Sequence, residues 1–600
     1  MKLAEKARPD GEPVQNTKIP YWRMVIDHAG ITPAVIDFEY NGSGTEEDPY
    51  VVQWIPDDPR NPMLFSTTTK WFITMVVAIA TLAVALVSSA YTGGLAEIMV
   101  EFQLSQEVAT LGVSLFVLGF AIGPLLWAPL SELFGRQLLF IGTYAALTAF
   151  NAGCAGAQNG ATLIILRFLA GAFGSSPLTN AGGVIADMFP ASQRGLAMAL
   201  FAAAPFLGPV LGPVIGGFLG MTEGWRWVMG FLAIFSGVLW ILGALILPET
   251  YAPVLLRKRA ATLSKMTGKH YISVVDHKQG RPTFSVALKT ALLRPWILLF
   301  KEPIVLLLSI YMAIIYGTLY MLFAAFPIVY QQNRGWNQGV GGLSFLGIMV
   351  GMLFAIAYTI PSNKRYIRVE QEHGGFAPPE ARLPGAMVGS IALPIGLFWF
   401  AWTNSVSVHW MASIAAGVPF GFGMVLVFLS IMNYLIDAYT IFAASVLAAN
   451  SVLRSCFGAA FPLFTTQMYD RLGIHWASTI PAFLALACVP FPFLFYKYGP
   501  AIRERCKFAA QSAAFIRNLQ ESQDESTDQT DKEEGVTTER VDQSSNDDTS
   551  TVADEPTFAA IRSRASSTAT RASGRRKSYD GNPYDIDRVN TRESFLKNIK

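Results

Sequence analysis

Two arginines stand in stretches that are otherwise apolar: Arg167, in Leu163-Ile-Ile-Leu-Arg167-Phe-Leu-Ala170-Gly171, and Arg454, in Ser451-Val-Leu-Arg454-Ser-Cys. A guanidinium inside hydrocarbon costs from ~2.5 to over 10 kcal/mol, so each must face a protein interior or a wet cavity and have a partner there. For Arg454 both satisfaction by carbonyls and a functional role are open. An arginine effectively never releases its proton, so any proton chemistry needs a second group. No Asp or Glu falls well inside an apolar run; the nearest, Glu132, Asp187, Glu302 and Asp437, stand at run ends.

Three further groups could do work. In Ala128-Pro-Leu-Ser-Glu132-Leu-Phe-Gly135-Arg136-Gln137 an acid, a base and a glycine share a short turn, and Gly135 suits a position where φ is positive. In Gly208-Pro-Val-Leu-Gly212-Pro213-Val-Ile-Gly216-Gly217 the glycines at four-residue spacing line one helical face and let a neighbouring helix approach closely. Pro209 and Pro213 predict a kink in that helix. Finally, Tyr316, Tyr320 and Phe323 share a helical face and, with Trp399, Phe420 and Arg454, could line an aromatic cavity for flat lipophilic or cationic compounds. Packing between helices, or anchoring at the membrane interface, is the other reading of such rings.

The elements that must hold these residues follow from composition. With 600 residues, 52% hydrophobic and 15% charged, a soluble multidomain protein is excluded in favour of an all-α integral membrane protein. The net charge of +2 is spread over loops and tails and gives no sign of nucleic acid. Cys154, Cys456, Cys488 and Cys506 are scattered singly, so neither disulfides nor a metal site is indicated. No Gly-x-x-x-x-Gly-Lys-Ser/Thr occurs, which disfavours a nucleotide-driven pump, and no cofactor is implied.

Apolar runs of ~20 residues, enough to cross a ~30 Å core, fall at about 71–92, 108–130, 138–157, 162–186, 196–220 and 227–248, then 303–330, 340–361, 385–403, 411–436, 443–466 and 476–498. The expected domains are a polar segment 1–70, a six-helix bundle 71–248, a basic linker 249–302, a second bundle 303–498 and a disordered tail 499–600. Serines after basic residues in that tail, Ser566 and Ser578, have a low-specificity kinase-site pattern. Lysines and arginines crowd the linker and the loop with Lys364, Arg365, Arg368 and Arg382, which predicts that the linker and both termini are cytosolic. Val184-Ile-Ala-Asp187 and Leu435-Ile-Asp437 echo one another at the ends of spans 4 and 10.

On these motifs the chain resembles the major facilitator superfamily, and within it the fungal-type twelve-span drug/proton antiporters that include multidrug, polyamine and secondary-metabolite exporters. The glycine stretch is similar to the antiporter signature of span 5, the Glu132 turn to the superfamily's cytosolic signature, and Arg167 to an arginine of span 4 linked to proton coupling. Pro248-Glu-Thr-Tyr251 and Trp225-Arg-Trp227 extend the likeness, which covers about 70 to 500. Ala199 replaces an expected glycine of the antiporter signature, while Leu133, Gln137, Ala170 and Phe173 depart from the other two.

The resemblance implies two six-helix bundles related by a pseudo-two-fold, alternating access, and a gate of Glu132, Gly135, Arg136, Asp187 and Arg194 on the cytosolic side. There Arg136 would pair with Asp187, and Glu132 would face the start of span 11. It also implies Arg167 as the coupling residue, a small organic substrate, protons and lipid as partners, a monomer, and a plasma-membrane location. The function expected is export of lipophilic drugs, toxins or secondary metabolites. A polyamine exporter, a nutrient symporter or facilitator, and a non-transporting receptor remain as alternatives.

Overall fold

The computed structural model describes residues 19–280, 283–373 and 377–517. Backbone surrounded by hydrocarbon can satisfy its N–H and C=O groups only internally, and a chain this apolar accordingly folds into long helices. These are α1 (Thr67–Ala90), α2 (Gln106–Phe134), α3 (Arg136–Ala155), α4 (Gly160–Met188), α5 (Ala191–Glu223) and α6 (Trp225–Ile246). The second half has α7 (Pro303–Phe326), α8 (Leu346–Glu372), α9 (Pro384–Thr403) and α10 (Gly417–Ala438), followed by the run Ala443–Cys488.

Helix starts follow local chemistry: the side chains of Ser66, Ser105 and Asn159 accept from the amides of Thr69, Val108 and Thr162. By length and hydropathy the described residues hold eleven candidate spans, of which the last, Thr440–Arg505, has 66 residues. At 1.5 Å per residue that is about 100 Å, three times a hydrocarbon core. Gly473, at φ 73 and ψ 164, breaks it and reverses the chain, dividing Ala443–Cys488 into α11 (443–472) and α12 (474–488). The spans therefore number twelve. Before α8 the sequence suggests one run from 340, whereas the structure sets a short helix, Gln338–Leu343, apart from it.

Within the first half α1 packs on α5, α2 on α4 and α3 on α6; in the second, α7 packs on α11, and α10 lies between α8 and α9. Two seams join the halves, α2 against α11, and α5 against the Gln338–Leu343 helix and α8. The most apolar window of α7 is 83% buried and that of α6 only 28%, so α7 is central while α6 turns most of its surface outward.

The polar segments are not merely loops. Tyr50–Val52 (β1) pairs in parallel with Tyr271–Ser273 (β2), Tyr50 opposite Tyr271. Val35, Tyr40, Val52 and Ile55 pack there on Leu256, Ala260 and Leu263 of the linker helix Ala252–Thr267. Arg259 closes this cap, bonded to both carboxylate oxygens of Asp58 at 2.5 and 3.2 Å, with both side chains buried. A second linker helix, Phe284–Lys301, leads into α7, and residues 507–517 are helical after Pro490–Arg505. This corrects the disordered tail expected from 499: up to 517 the chain is helical on both sides of Cys506 and held to the bundle, with Cys506, Phe508 and Ala509 buried and the Phe508 amide donating to Glu302 at 3.0 Å. The rest of the expected tail, with Ser566 and Ser578, and residues 1–18 lie outside the described residues.

Candidate functional site

Arg167 projects from α4 into the angle between α1 and α2 and is fully buried. All three of its nitrogens donate to carbonyls, Nε to Gly112 at 3.0 Å, Nη1 to Val87 at 2.9 Å and Nη2 to Ser88 at 3.1 Å. The rings of Tyr91 and Phe116 lie 4.9 and 4.3 Å from its guanidinium carbon. Carbonyl dipoles and ring faces thus stand in for a counterion, which is how a cation can be held where no carboxylate reaches.

The Ser88 side chain carries the connection across to the second half. Its Oγ is 2.9 Å from the Tyr320 hydroxyl, which lies 3.4 Å from that of Tyr316. Tyr316, Tyr320 and Phe323 stack down α7 with ring centroids 4.9 and 5.1 Å apart. Arg454 of α11 lies over Tyr316 at 4.8 Å and over Phe428 of α10 at 5.7 Å, and Phe428 meets Phe206 of α5 at 5.0 Å. Aromatic residues from both halves therefore meet at one level.

Two expected cavity residues are not in this group. Trp399 is 43% exposed on the outer face of α9, so the cavity reading of that residue is corrected to a surface one. Phe420 is buried, but it sits where α10 crosses α9 at Gly396 and joins none of these ring contacts. Phe428, two turns along α10, takes that place. Ser88, Phe206 and Phe428 escape a sequence reading because nothing local separates an inward ring or hydroxyl from an outward one.

The glycine stretch serves two neighbours. A Cβ at Gly208 would lie 2.6 Å from the Leu82 carbonyl, one at Gly212 1.9 Å from Ser89 Oγ, and one at Gly216 2.2 Å from the Ala90 carbonyl, all on α1. Gly217 faces the other half: its Cβ would be 2.7 Å from the Gln338 carbonyl, while a Cβ at Gly342 would be 2.4 Å from the carbonyl of Pro213. One stripe thus cements α1 to α5 and lets the halves touch backbone to backbone on the side opposite the linker.

On the linker side, Gly135 has φ 100 and ends α2; a Cβ there would fall 2.1 Å from Glu249. Glu249 receives the amides of Arg136 and Gln137 at 3.0 and 3.2 Å, capping α3, where helix amides favour an anion. Arg136 Nε is 3.4 Å from Asp187, Nη1 is 2.5 Å from Ser131 Oγ, and the guanidinium lies over Tyr251. Thr250 donates to the same Asp187 oxygen at 3.2 Å. The echo noted at Asp437 has its counterpart: Arg382, just before α9, pairs with it at 2.8 Å. Glu132 lines a cavity with Thr290, Arg294, Thr440, Phe442 and Ala443, at the start of α11. The Arg194 side chain lies outside the described residues.

The comparisons extend this picture. The model of the Major Facilitator Superfamily matches residues 77–462. The chain is 67% identical, over 99% of both chains, to the "Major facilitator superfamily multidrug transporter mdrA" of Aspergillus fumigatus. To the "MFS-type efflux pump MFS2" of Trichophyton rubrum it is 66% identical over 98% of both, and to the "Efflux pump FUB11" of Gibberella moniliformis 54% identical over 85% of this chain and 86% of that one. Among solved structures, the proton:xylose symporter XylE bound to 6-bromo-6-deoxy-D-glucose superposes with a TM-score of 0.52 at 15% identity, covering 72% of this chain and 96% of that one. At that identity the likeness speaks for the fold alone, and it is the two-bundle fold the twelve spans describe.

Proposed function

As the chain belongs to the major facilitator superfamily, we propose that it is a proton-coupled exporter that moves small lipophilic compounds, drug-like molecules or secondary metabolites, out of the cytosol by alternating access. It would act as a monomer in the plasma membrane with the linker and both termini in the cytosol, as the excess of Lys and Arg on that side suggests. Direction and substrate breadth draw on relatives whose names describe efflux and multidrug transport.

The observation that carries the reading is that the two ends of the aromatic level are built differently. On one side the halves meet through the Gly217 and Gly342 backbones; on the other each half carries a breakable ion pair, Arg136–Asp187 and Arg382–Asp437. A transporter that alternates needs contacts of that kind, held in one state and released in the other. Coupling to protons would run through the boundary acids Asp187 or Glu132, since Arg167 does not titrate and is held by carbonyls.

Energised efflux of a panel of lipophilic drugs from cells expressing the chain, with and without a protonophore, tests this. Lower accumulation that the protonophore restores is expected. Raised uptake, or export indifferent to the protonophore, overturns direction or coupling respectively.

A further inference from the structure

Arg454 differs from the other arginines of the transmembrane region in one respect. Arg167 has three carbonyl partners, and Arg136 has Asp187 and Ser131. Arg454 Nε is buried and has no hydrogen-bond partner among the described residues; the contacts of its guanidinium are the faces of Tyr316 and Phe428. The residue as a whole is half-buried. One turn along α11, Gly458 packs on Tyr316 of α7 and Val117 of α2, and one turn the other way Asn450 bonds Ser309 of α7 at 3.2 Å. The same helical face therefore looks into the junction of the two halves, where Phe428 meets Phe206 of α5.

Ring faces offset only part of the cost of taking a guanidinium partly out of water, and the buried Nε leaves a donor that an anion would satisfy. The planar fork of arginine matches a carboxylate, and flat rings beside it suit an aromatic body. We propose that Arg454, walled by Tyr316 and Phe428, is an anion subsite of the substrate cavity and that the substrates it selects are aromatic monocarboxylates. This rests on the exporter reading and narrows it: the same charge repels polyamines and cationic drugs.

The test uses the purified full-length protein in nanodiscs of phosphatidylcholine alone, so that no anionic headgroup competes. Binding of 1-naphthoate is compared with that of its neutral isostere 1-naphthamide by tryptophan fluorescence titration. The wild type should prefer the acid by roughly tenfold or more, the scale of one charge-assisted hydrogen bond. The preference should vanish in Arg454→Gln and return in part in Arg454→Lys, while both variants should still bind naphthamide saturably, which reports an intact cavity. Equal binding of acid and amide by the wild type, no saturable binding of the acid, or a preference that survives Arg454→Gln overturns the assignment. Efflux of a neutral drug by Arg454→Gln cells is read in parallel. Its loss in wild-type cells as well would count against the exporter reading, whereas its presence with no acid preference counts against the subsite alone.

Discussion

At the scale of single residues, Arg167 acts first as a staple. Its three carbonyl partners come from α1 and α2, and lysine, with a single nitrogen, cannot reach all of them. Arg167→Lys leaves buried carbonyls without donors, and hydrogen bonds from charged groups contribute about 1.5–3 kcal/mol each. Arg167→Lys should therefore lower the melting temperature of the detergent-purified protein as well as abolish efflux. Wild-type thermal stability with lost efflux would instead locate the role of Arg167 in transport alone. Arg136 and Asp187 share a contact, with Thr250 on the same carboxylate oxygen. The efflux losses of Arg136→Ala and Asp187→Ala should be non-additive, with a coupling of about 0.5–3 kcal/mol in a double-mutant cycle. Additive losses would show that the two act separately.

At the scale of elements, α5 is a helix with one face for each half of the molecule. Between helices in lipid, close packing rather than water exclusion drives association, so small residues decide where helices touch. A methyl group at Gly212 would meet Ser89 Oγ at 1.9 Å and the Ala90 amide at 2.7 Å, which forces α1 and α5 apart. Gly212→Ala should cost about 1–3 kcal/mol, the range for overpacking, and Gly212→Leu should leave little folded protein on a size-exclusion trace. A methyl group at Gly217 would point at Gln338 and Gly339 of the partner half. Gly217→Ala should keep the fold and melting temperature but loosen the seam with Gln338, read as faster maleimide labelling of Gln338→Cys. Unchanged labelling would mean that the seam does not separate during transport.

At the scale of the whole molecule, the polar N-terminal segment and the linker fold together and hold the turn between α2 and α3. Gln137, which replaces a basic residue of the resembled signature, donates to the Val25 carbonyl at 2.9 Å and contacts His28 Nε2 at 2.7 Å; Lys258 of the linker helix reaches His28 Nδ1. Burial, then the neighbouring Lys258 charge, lowers the His28 pKa, against the opposing bond to Gln137. A histidine depressed in this way stabilises the docked cap above its unfolded pKa of about 6.5 and loses that contribution as pH falls further. Limited proteolysis within residues 19–66 should accelerate between pH 7.5 and 5.5, and His28→Asn should flatten the dependence. Arg259→Met would leave the buried Asp58 carboxylate with the Arg60 amide but without its ion-pair partner, at a cost of about 3–5 kcal/mol, and should expose the same segment to hydrogen exchange at neutral pH.

What the sequence determined by itself was the class and the count of spans, because crossing a hydrocarbon core leaves a run of fixed length and composition that needs no partner to be seen. It also determined that Gly135 ends a turn at positive φ and that Asp187 and Asp437 occupy like places, since both are local facts. Tertiary structure decided which inward-looking residues meet. Trp399 and Phe428 are equally aromatic, and only the rotation of α9 and α10 about their axes turns one outward and the other onto Arg454. The same holds for Glu249, which caps a helix that begins 113 residues before it. The cap around Arg259 was legible only as polar sequence, because its stability comes from β1 meeting β2 across more than two hundred residues, a pairing that no local pattern encodes.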